Sequence, residues 1–226
     1  MDKYVKPWDV PKGQRWSYFW SYYKVHTIVG IVVLVMVGTL IKDVFFREKP
    51  DLTVTVATSG YLSDEATAEL QRVFEEYSRD YNENGKKYVD QYEIYLSTEV
   101  SADPQLVMAG QTKLLAQFQI PEAIVFLMDQ AIYDYLDVDE DEGVFVNLTQ
   151  AIGEEAAPYV SEDGRRMYCR DIPILKDSPY ANMYSELFFV VRDTSAMGER
   201  NQKKSAQPYQ NSIDFLRNLV NDRPED

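Results

Sequence analysis

The chain reads as an α/β domain carried on one N-terminal membrane-spanning helix, and three observations predict this. Residues 25–41, VHTIVGIVVLVMVGTLI, hold no ionised side chain unless His26 at the edge is protonated. Residues 52–128 alternate strand-like and helix-like apolar patterns in the order strand, helix, strand, helix, strand. In the last of these, Ala123 to Met128 is an unbroken apolar run with a β-branched centre, as expected of a strand covered by helices on both faces. Such a strand implies a three-layer α/β domain with a mainly parallel sheet and right-handed crossovers. The expected division is a cytoplasmic basic and aromatic tail at 1–24, a transmembrane helix at 25–46, a linker at 47–51, the outer domain at 52–222 and a short tail at 223–226.

The seventeen residues of the apolar run cover roughly 26 Å as a helix, against roughly 30 Å of hydrocarbon. Lys42 can turn its ammonium outward along its apolar stem, so Val44, Phe45 and Phe46 complete the span. Upstream, Trp16, Tyr18, Phe19, Trp20, Tyr22 and Tyr23 form the aromatic belt expected at headgroup depth. Lys3, Lys6, Lys12, Arg15 and Lys24 precede the run and a mixed KDVFFREK flank follows it, so the N-terminus is expected in the cytoplasm and the domain outside the plasma membrane. No small-residue cleavage site follows, which favours an uncleaved anchor, and no cysteine near the start could take a lipid. Gly30 and Gly38 do not make a G-x-x-x-G pair.

The domain opens with DLTVTVAT, where Leu52, Val54 and Val56 alternate with Thr53, Thr55 and Ala57 in a strand. Ser63 is placed to cap a helix whose first turn holds Asp64 and Glu65, where the helix dipole favours negative charge. Ala66, Leu70, Val73, Phe74, Tyr77 and Tyr81 then make one apolar face, with the helix expected to end near Asn84-Gly85. KKYVDQYEIYL is a strand with Tyr88, Tyr92, Ile94 and Leu96 on its covered face. Pro104 opens a helix with Val107, Leu114, Leu115 and Phe118 inward. After AIVFLMD come a short helix at QAIYDY, an acidic loop, GVFVNLT as strand or turn, and a short helix at TQAIGEEAAPY. RRMYCRDIPI and SELFFVVRD read as two further strands. A basic connection at residues 198–207 leads to a closing helix, YQNSIDFLRNLV, with Ile213, Leu216 and Val220 aligned.

Charge and chemistry narrow the function. The first fifty residues hold eight of the 23 Lys/Arg and four of the 37 Asp/Glu, leaving residues 51–226 with fifteen and thirty-three, a net of −18. That field repels nucleic acid. The lone Cys169 excludes an intrachain disulfide and reads as a small core residue. The lone His26 borders the membrane run, so histidine-activated Ser or Cys nucleophiles are unavailable to the domain. Asp137, Asp139 and Asp141 have calcium-loop spacing, yet Glu142 stands where the turn glycine belongs and Leu148 where the bidentate glutamate belongs. A solvated acidic loop is the ordinary reading. Ser21-Tyr22-Tyr23-Lys24 matches S-x-x-K and Asn147-Leu148-Thr149 matches a glycan sequon, both read as coincidence. No metal, cofactor or catalytic residue is assigned.

The segments LTVTVAT, YEIYL, QTKLLAQF, AIVFLMD, EGVFVNLTQAI, RRMYCRDIPI and NSIDFL, in that order, resemble the solute-binding proteins of the type II periplasmic-binding fold that serve sugar and peptide importers. Asp129, Gly143, Phe145, Leu148 and Tyr168 carry the resemblance, which spans roughly residues 51–222. It implies a binding lobe held at the outer membrane face. The domain is too short for two complete lobes, so the second is expected to be reduced or missing.

Ligands on such sheets sit at the carboxyl ends of the strands. Thr58, Ser59 and Tyr61 after the first strand, Asp129 and Gln130 after the third, and Tyr168 are therefore the candidate ligand-binding residues, although Asp129 reads equally as a helix cap and the tyrosines as packing residues. The leading expectation is a non-catalytic ligand-binding or sensing module for a sugar, peptide or amino acid, in contact with membrane lipid through its anchor. A docking subunit of a permease or cell-envelope complex is the alternative. A carboxylate-dependent hydrolase is the third reading.

Overall fold

In the computed structural model the described residues are 11, 13, 15–45, 49–98, 102–136 and 144–224. They divide into two compact units, Met1–Glu48 and Lys49–Asp226.

The first unit holds helix α1, Arg15–Phe45. Its window Tyr23–Leu40 has a mean hydropathy of 1.8 and none of it is buried, so the helix is long and apolar enough for a membrane anchor or a signal sequence. At its start Trp16 stacks on Phe19 and Trp20, and Phe19 on Tyr23, at centroid distances of 5.7 to 6.3 Å. These ring pairs follow from side chains three and four apart on one helix face.

The second unit is mixed α/β. Strand β1 (Leu52–Thr58) leads through α2 (Asp64–Tyr77) to β2 (Val89–Tyr95), then α3 (Pro104–Gln117), β3 (Val125–Met128) and α4 (Gln130–Tyr135). After α5 (Leu148–Ile152) come β4 (Met167–Tyr168), the short helices α6 (Pro173–Lys176) and α7 (Ala181–Tyr184), β5 (Phe188–Val191) and α8 (Glu199–Val220). The sheet order is β2-β1-β3-β5-β4. β1 is parallel to β2 and β3, while β5 runs antiparallel to both β3 and β4, so four of the five strands share one direction.

Side chains alternate across a strand, and here both sets are apolar, so the sheet carries a core on each face. Leu52, Val54, Val56, Val125, Leu127, Phe189 and Val191 point into one core, closed by α2 and α8. Phe74 meets Phe215 edge-on at 5.8 Å and Phe189 at 6.0 Å within it. Ile94, Leu96, Phe126, Met128, Phe188 and Val190 point into the other, against Leu114 of α3 and Ile132 of α4. Phe118 stacks on Phe126 there at 4.6 Å. α3 lies close on β2 through Gly110, where a Cβ would stand 2.6 Å from the Tyr95 carbonyl oxygen.

Ser63 caps α2 as expected, its hydroxyl accepting from the Ala66 amide, and Asp103 caps α3 ahead of Pro104. Several expectations are corrected. α2 ends at Tyr77, not near Asn84-Gly85, because Ser78 takes an extended backbone. Tyr81 then sits in a turn and donates to the Asn211 carbonyl and Asp214. Leu115 is exposed, because α3 approaches the sheet through Gly110, Leu114 and Gln117 instead. RRMYCRDIPI supplies only the two-residue β4 before Cys169 opens a 3-10 turn. Residues 198–207 are not a connection: α8 begins at Glu199 and runs through Pro208. The good helix formers before that proline extend the helix, and Pro208 removes one amide donor without ending it.

Candidate functional site

β1 is flanked by β2 on one side and β3 on the other, so the chain reverses its direction of winding there, which is where α/β sheets leave a crevice at the strand ends. Ala57, Met128, Phe188 and Tyr168 are paired in one row across β1, β3, β5 and β4. Thr58, Ser59, Asp129, Gln130 and Tyr168 thus share one crest of the sheet.

Most of their polar atoms are already engaged. Asp129 Oδ2 accepts from the Ser59 amide at 2.6 Å and the Ser59 hydroxyl at 2.7 Å, and Oδ1 accepts from the Ile132 amide at 2.9 Å. One carboxylate therefore caps α4 and ties the end of β1 to the end of β3. Gln130 donates to Asp134 at 2.6 Å and accepts from Arg166 at 3.1 Å. The Arg166 guanidinium also donates to Asp163 and lies 5.5 Å from the Tyr133 ring centroid. Tyr168 is half-buried, edge-on to Phe188 at 5.6 Å, with the Arg170 guanidinium 4.2 Å from its ring centroid.

Thr58 is buried, and its carbonyl accepts from Leu96. Tyr61 is 76 % exposed. Its hydroxyl donates to Asp64 at 3.1 Å, and that bond holds the phenol above its ordinary pKa. Thr58, Gly60, Tyr61, Glu93 and Tyr95 line a cleft of about 100 Å³. That is below the roughly 300 Å³ at which small-molecule pockets begin, so the cleft admits one side chain or ring. Glu93 and Tyr95 were not among the expected residues; their only signal was alternation onto the outer positions of the second strand. Arg166 was missed as well, since nothing local places a loop arginine beside Gln130.

Cys169 is fully buried and burial pushes its thiol well above the usual range, which fits a core residue. Asn147 caps α5 through its Oδ1 and donates from Nδ2 to the Asp163 carbonyl, a structural role for the sequon asparagine. Leu148 is buried in α5. Asp137, Asp139, Asp141, Glu142 and Gly143 lie outside the described residues. Among the described residues no group of three or more His, Cys, Asp or Glu is arranged to hold a metal ion.

No family model matches the chain, and neither a curated protein nor a solved structure matches it.

Proposed function

We propose that the protein is a single-pass plasma-membrane protein, with residues 25–46 in the bilayer and the N-terminus in the cytoplasm, whose outer domain is a non-catalytic ligand-binding or sensing module resembling one lobe of a type II periplasmic-binding protein. The observation that carries this is the contrast between Tyr23–Leu40, bare along its whole length, and a following unit closed around two apolar cores. An apolar surface of that extent is unfavourable in water and favourable in hydrocarbon. The five Lys/Arg ahead of the run support the orientation. The single compact unit Lys49–Asp226 and the parallel order β2-β1-β3 support a lone lobe. A His-free domain with a buried thiol supports binding over catalysis.

Within this reading the exposed Tyr61 and Tyr95 receive one ring or side chain of a sugar, peptide or amino acid at the β1 end, while the Ser59–Asp129 tie holds the crest rigid. The test uses the full chain in lipid nanodiscs. Sugars, peptides and amino acids are screened by thermal melting, and a stabilising hit is expected to weaken in Tyr61→Ala. Protease added to intact cells is expected to remove the C-terminal domain; cleavage of the N-terminal tail with the domain spared overturns the topology.

One observation favours a second reading, a docking subunit of a membrane complex. On α3, Met108 and Leu115 are 67 % and 55 % exposed on one side of the helix, outside the domain's own cores. Cross-linking from this helix in native membranes separates the readings: a captured permease or envelope protein, lost in Leu115→Glu, supports docking.

A further inference from the structure

The two ends of the sheet differ in charge. Residues 49–51, 78–88, 119–122 and 192–211 lie at the end where β1, β2 and β3 begin and β5 finishes, because Leu52 pairs with Val89, and Val54 and Val191 both pair with Val125. These segments hold eight Lys/Arg against six Asp/Glu, whereas all other residues from 49 onward hold eight against twenty-seven. Three of the six acids are turned onto backbone amides: Asp51 onto Asn82 and Tyr88, Asp80 onto Asn84 and Gly85, and Asp193 onto Ser195. The domain is therefore polarised, close to neutral at this end and strongly negative over the rest.

The basic side chains of this end gather on α8. Arg200, Lys203 and Lys204 lie in its first two turns, all three exposed, and the helix has no acidic residue between Glu199 and Asp214. Lys203 and Lys204 stand one turn before Gln207 and Pro208, which share a hollow with Lys49, Pro50 and Asn82. Asn211 donates to the Asp51 carbonyl at 3.0 Å and Asn82 to the Lys49 carbonyl at 3.1 Å, so the helix is fixed beside the first residues of the domain. Lys49, Arg200, Lys203 and Lys204 form no ion pair among the described residues, whereas Arg72, Arg166 and Arg217 are each taken up by carboxylates of the domain. Phe45 closes α1 and Lys49 follows four residues later, a length of chain that reaches at most about 14 Å.

We infer that this end of the domain docks on anionic lipid headgroups, with Arg200, Lys203, Lys204 and Lys49 as the contacting cations. Exposed ammonium and guanidinium groups are what a broad, negatively charged and mobile surface requires, and no pocket is needed to select it. A surface potential acts over roughly 8 Å at physiological ionic strength, so a face tethered to the anchor by four residues of chain remains close to its range. The other charges of the domain act in the same sense, because the carboxylates that dominate elsewhere are repelled by the same surface. The headgroups thus hold the α8 end down and keep the crest, with Ser59, Tyr61 and Asp129, turned to solutes. A second copy of the chain does not suit this face, since an isologous contact would set like charges against each other. The inference rests on the reading of α1 as the membrane anchor and is indifferent to which ligand the crest binds.

The test is fluorescence quenching of the full chain in nanodiscs carrying a headgroup-linked nitroxide, made of phosphatidylcholine alone or of phosphatidylcholine and phosphatidylglycerol in equal parts. A fluorophore is placed on Asn201→Cys, beside the basic turns, or on Gly60→Cys at the crest, while the buried Cys169 stays unlabelled. Quenching at position 201 is expected to rise at least twofold with phosphatidylglycerol and to return to the phosphatidylcholine level in high salt. The same return is expected when Arg200→Gln, Lys203→Gln and Lys204→Gln are combined, and no rise is expected at position 60. Retention on the nanodiscs through a high-salt wash reads the anchor by itself. Chain that washes off overturns the anchor reading and this inference with it, whereas retained chain with equal quenching in both lipids overturns this inference alone. A rise that survives high salt, or that appears equally at position 60, overturns it as well. Should the triple variant fail to fold, the salt titration of the parent chain carries the same decision.

Discussion

α2 and α3 have fourteen residues each and flank the same sheet, but they meet it differently. α2 buries Ala66, Leu70, Val73, Phe74 and Tyr77 in the core that the sheet shares with α8, and every large apolar residue of the helix is among them. α3 buries Gly110, Leu114 and Gln117 and turns Leu106, Met108 and Leu115 outward. One face of the domain is built for stability alone. The other leaves Met108 and Leu115 exposed on one side, apolar surface that the two cores do not take up.

The two faces part most visibly at Phe74. Its ring touches Phe189 and Phe215, so Phe74→Ala opens a cavity beside two aromatic side chains. The expected loss is about 3–5 kcal/mol in urea unfolding. A loss below about 1 kcal/mol would show that the α2 face is loosely packed and that the two faces do not differ.

The same face carries the domain's alkaline weakness. Tyr77, Tyr81 and Tyr184 all have phenols held well above the ordinary tyrosine value, burial being the first cause for each. Above about pH 10 the unfolded chain releases these protons while the folded domain retains them. Their contribution is therefore complete below that pH and is lost as pH rises toward the folded values. The urea midpoint is expected to hold between pH 7 and 9 and fall by pH 11, and Tyr81→Phe to flatten part of the fall. An unchanged midpoint at pH 11 removes the assignment.

Next in size is Gly110. A methyl group there collides with backbone of β2, which cannot step aside as a flexible side chain could. Gly110→Ala is expected to cost about 1–3 kcal/mol. α3 then fails through close approach of backbones where α2 fails through lost ring packing. A neutral result would mean that α3 shifts freely on the sheet.

The legible parts of the sequence were those set by neighbours within a few residues. Ser63 before Asp64-Glu65, Pro104 after Asp103 and the run Ala123 to Met128 each named an element that the structure contains. Where tertiary contacts decide, local pattern misled. Leu115 fits an inward position on a helical wheel until Gly110 sets the line of approach, and the polar run 198–207 reads as a connection although α8 begins at Glu199 and passes through Pro208. Thr58, Ser59, Asp129 and Gln130 stand at strand ends that alternation alone could place, yet the bond between Ser59 and Asp129 joins residues seventy apart and depends on β1 lying beside β3.

The smallest expected change in stability belongs to the outward residues of α3, and it is the most informative. Met108 and Leu115 are seven apart, so they sit two turns from each other on the same side of the helix, away from Leu114. Replacing either with serine removes little buried area, so Met108→Ser and Leu115→Ser are each expected to change unfolding free energy by no more than about 0.5 kcal/mol. If their apolar surface serves the fold, the double variant loses stability in proportion and the two faces become alike. If it serves a partner, the double variant melts like the parent in isolation but loses the stabilisation that native membranes confer, because a bound partner adds to folded-state stability by mass action. Melting the parent and the double variant side by side, in detergent and in native vesicles, reads both outcomes from one measurement.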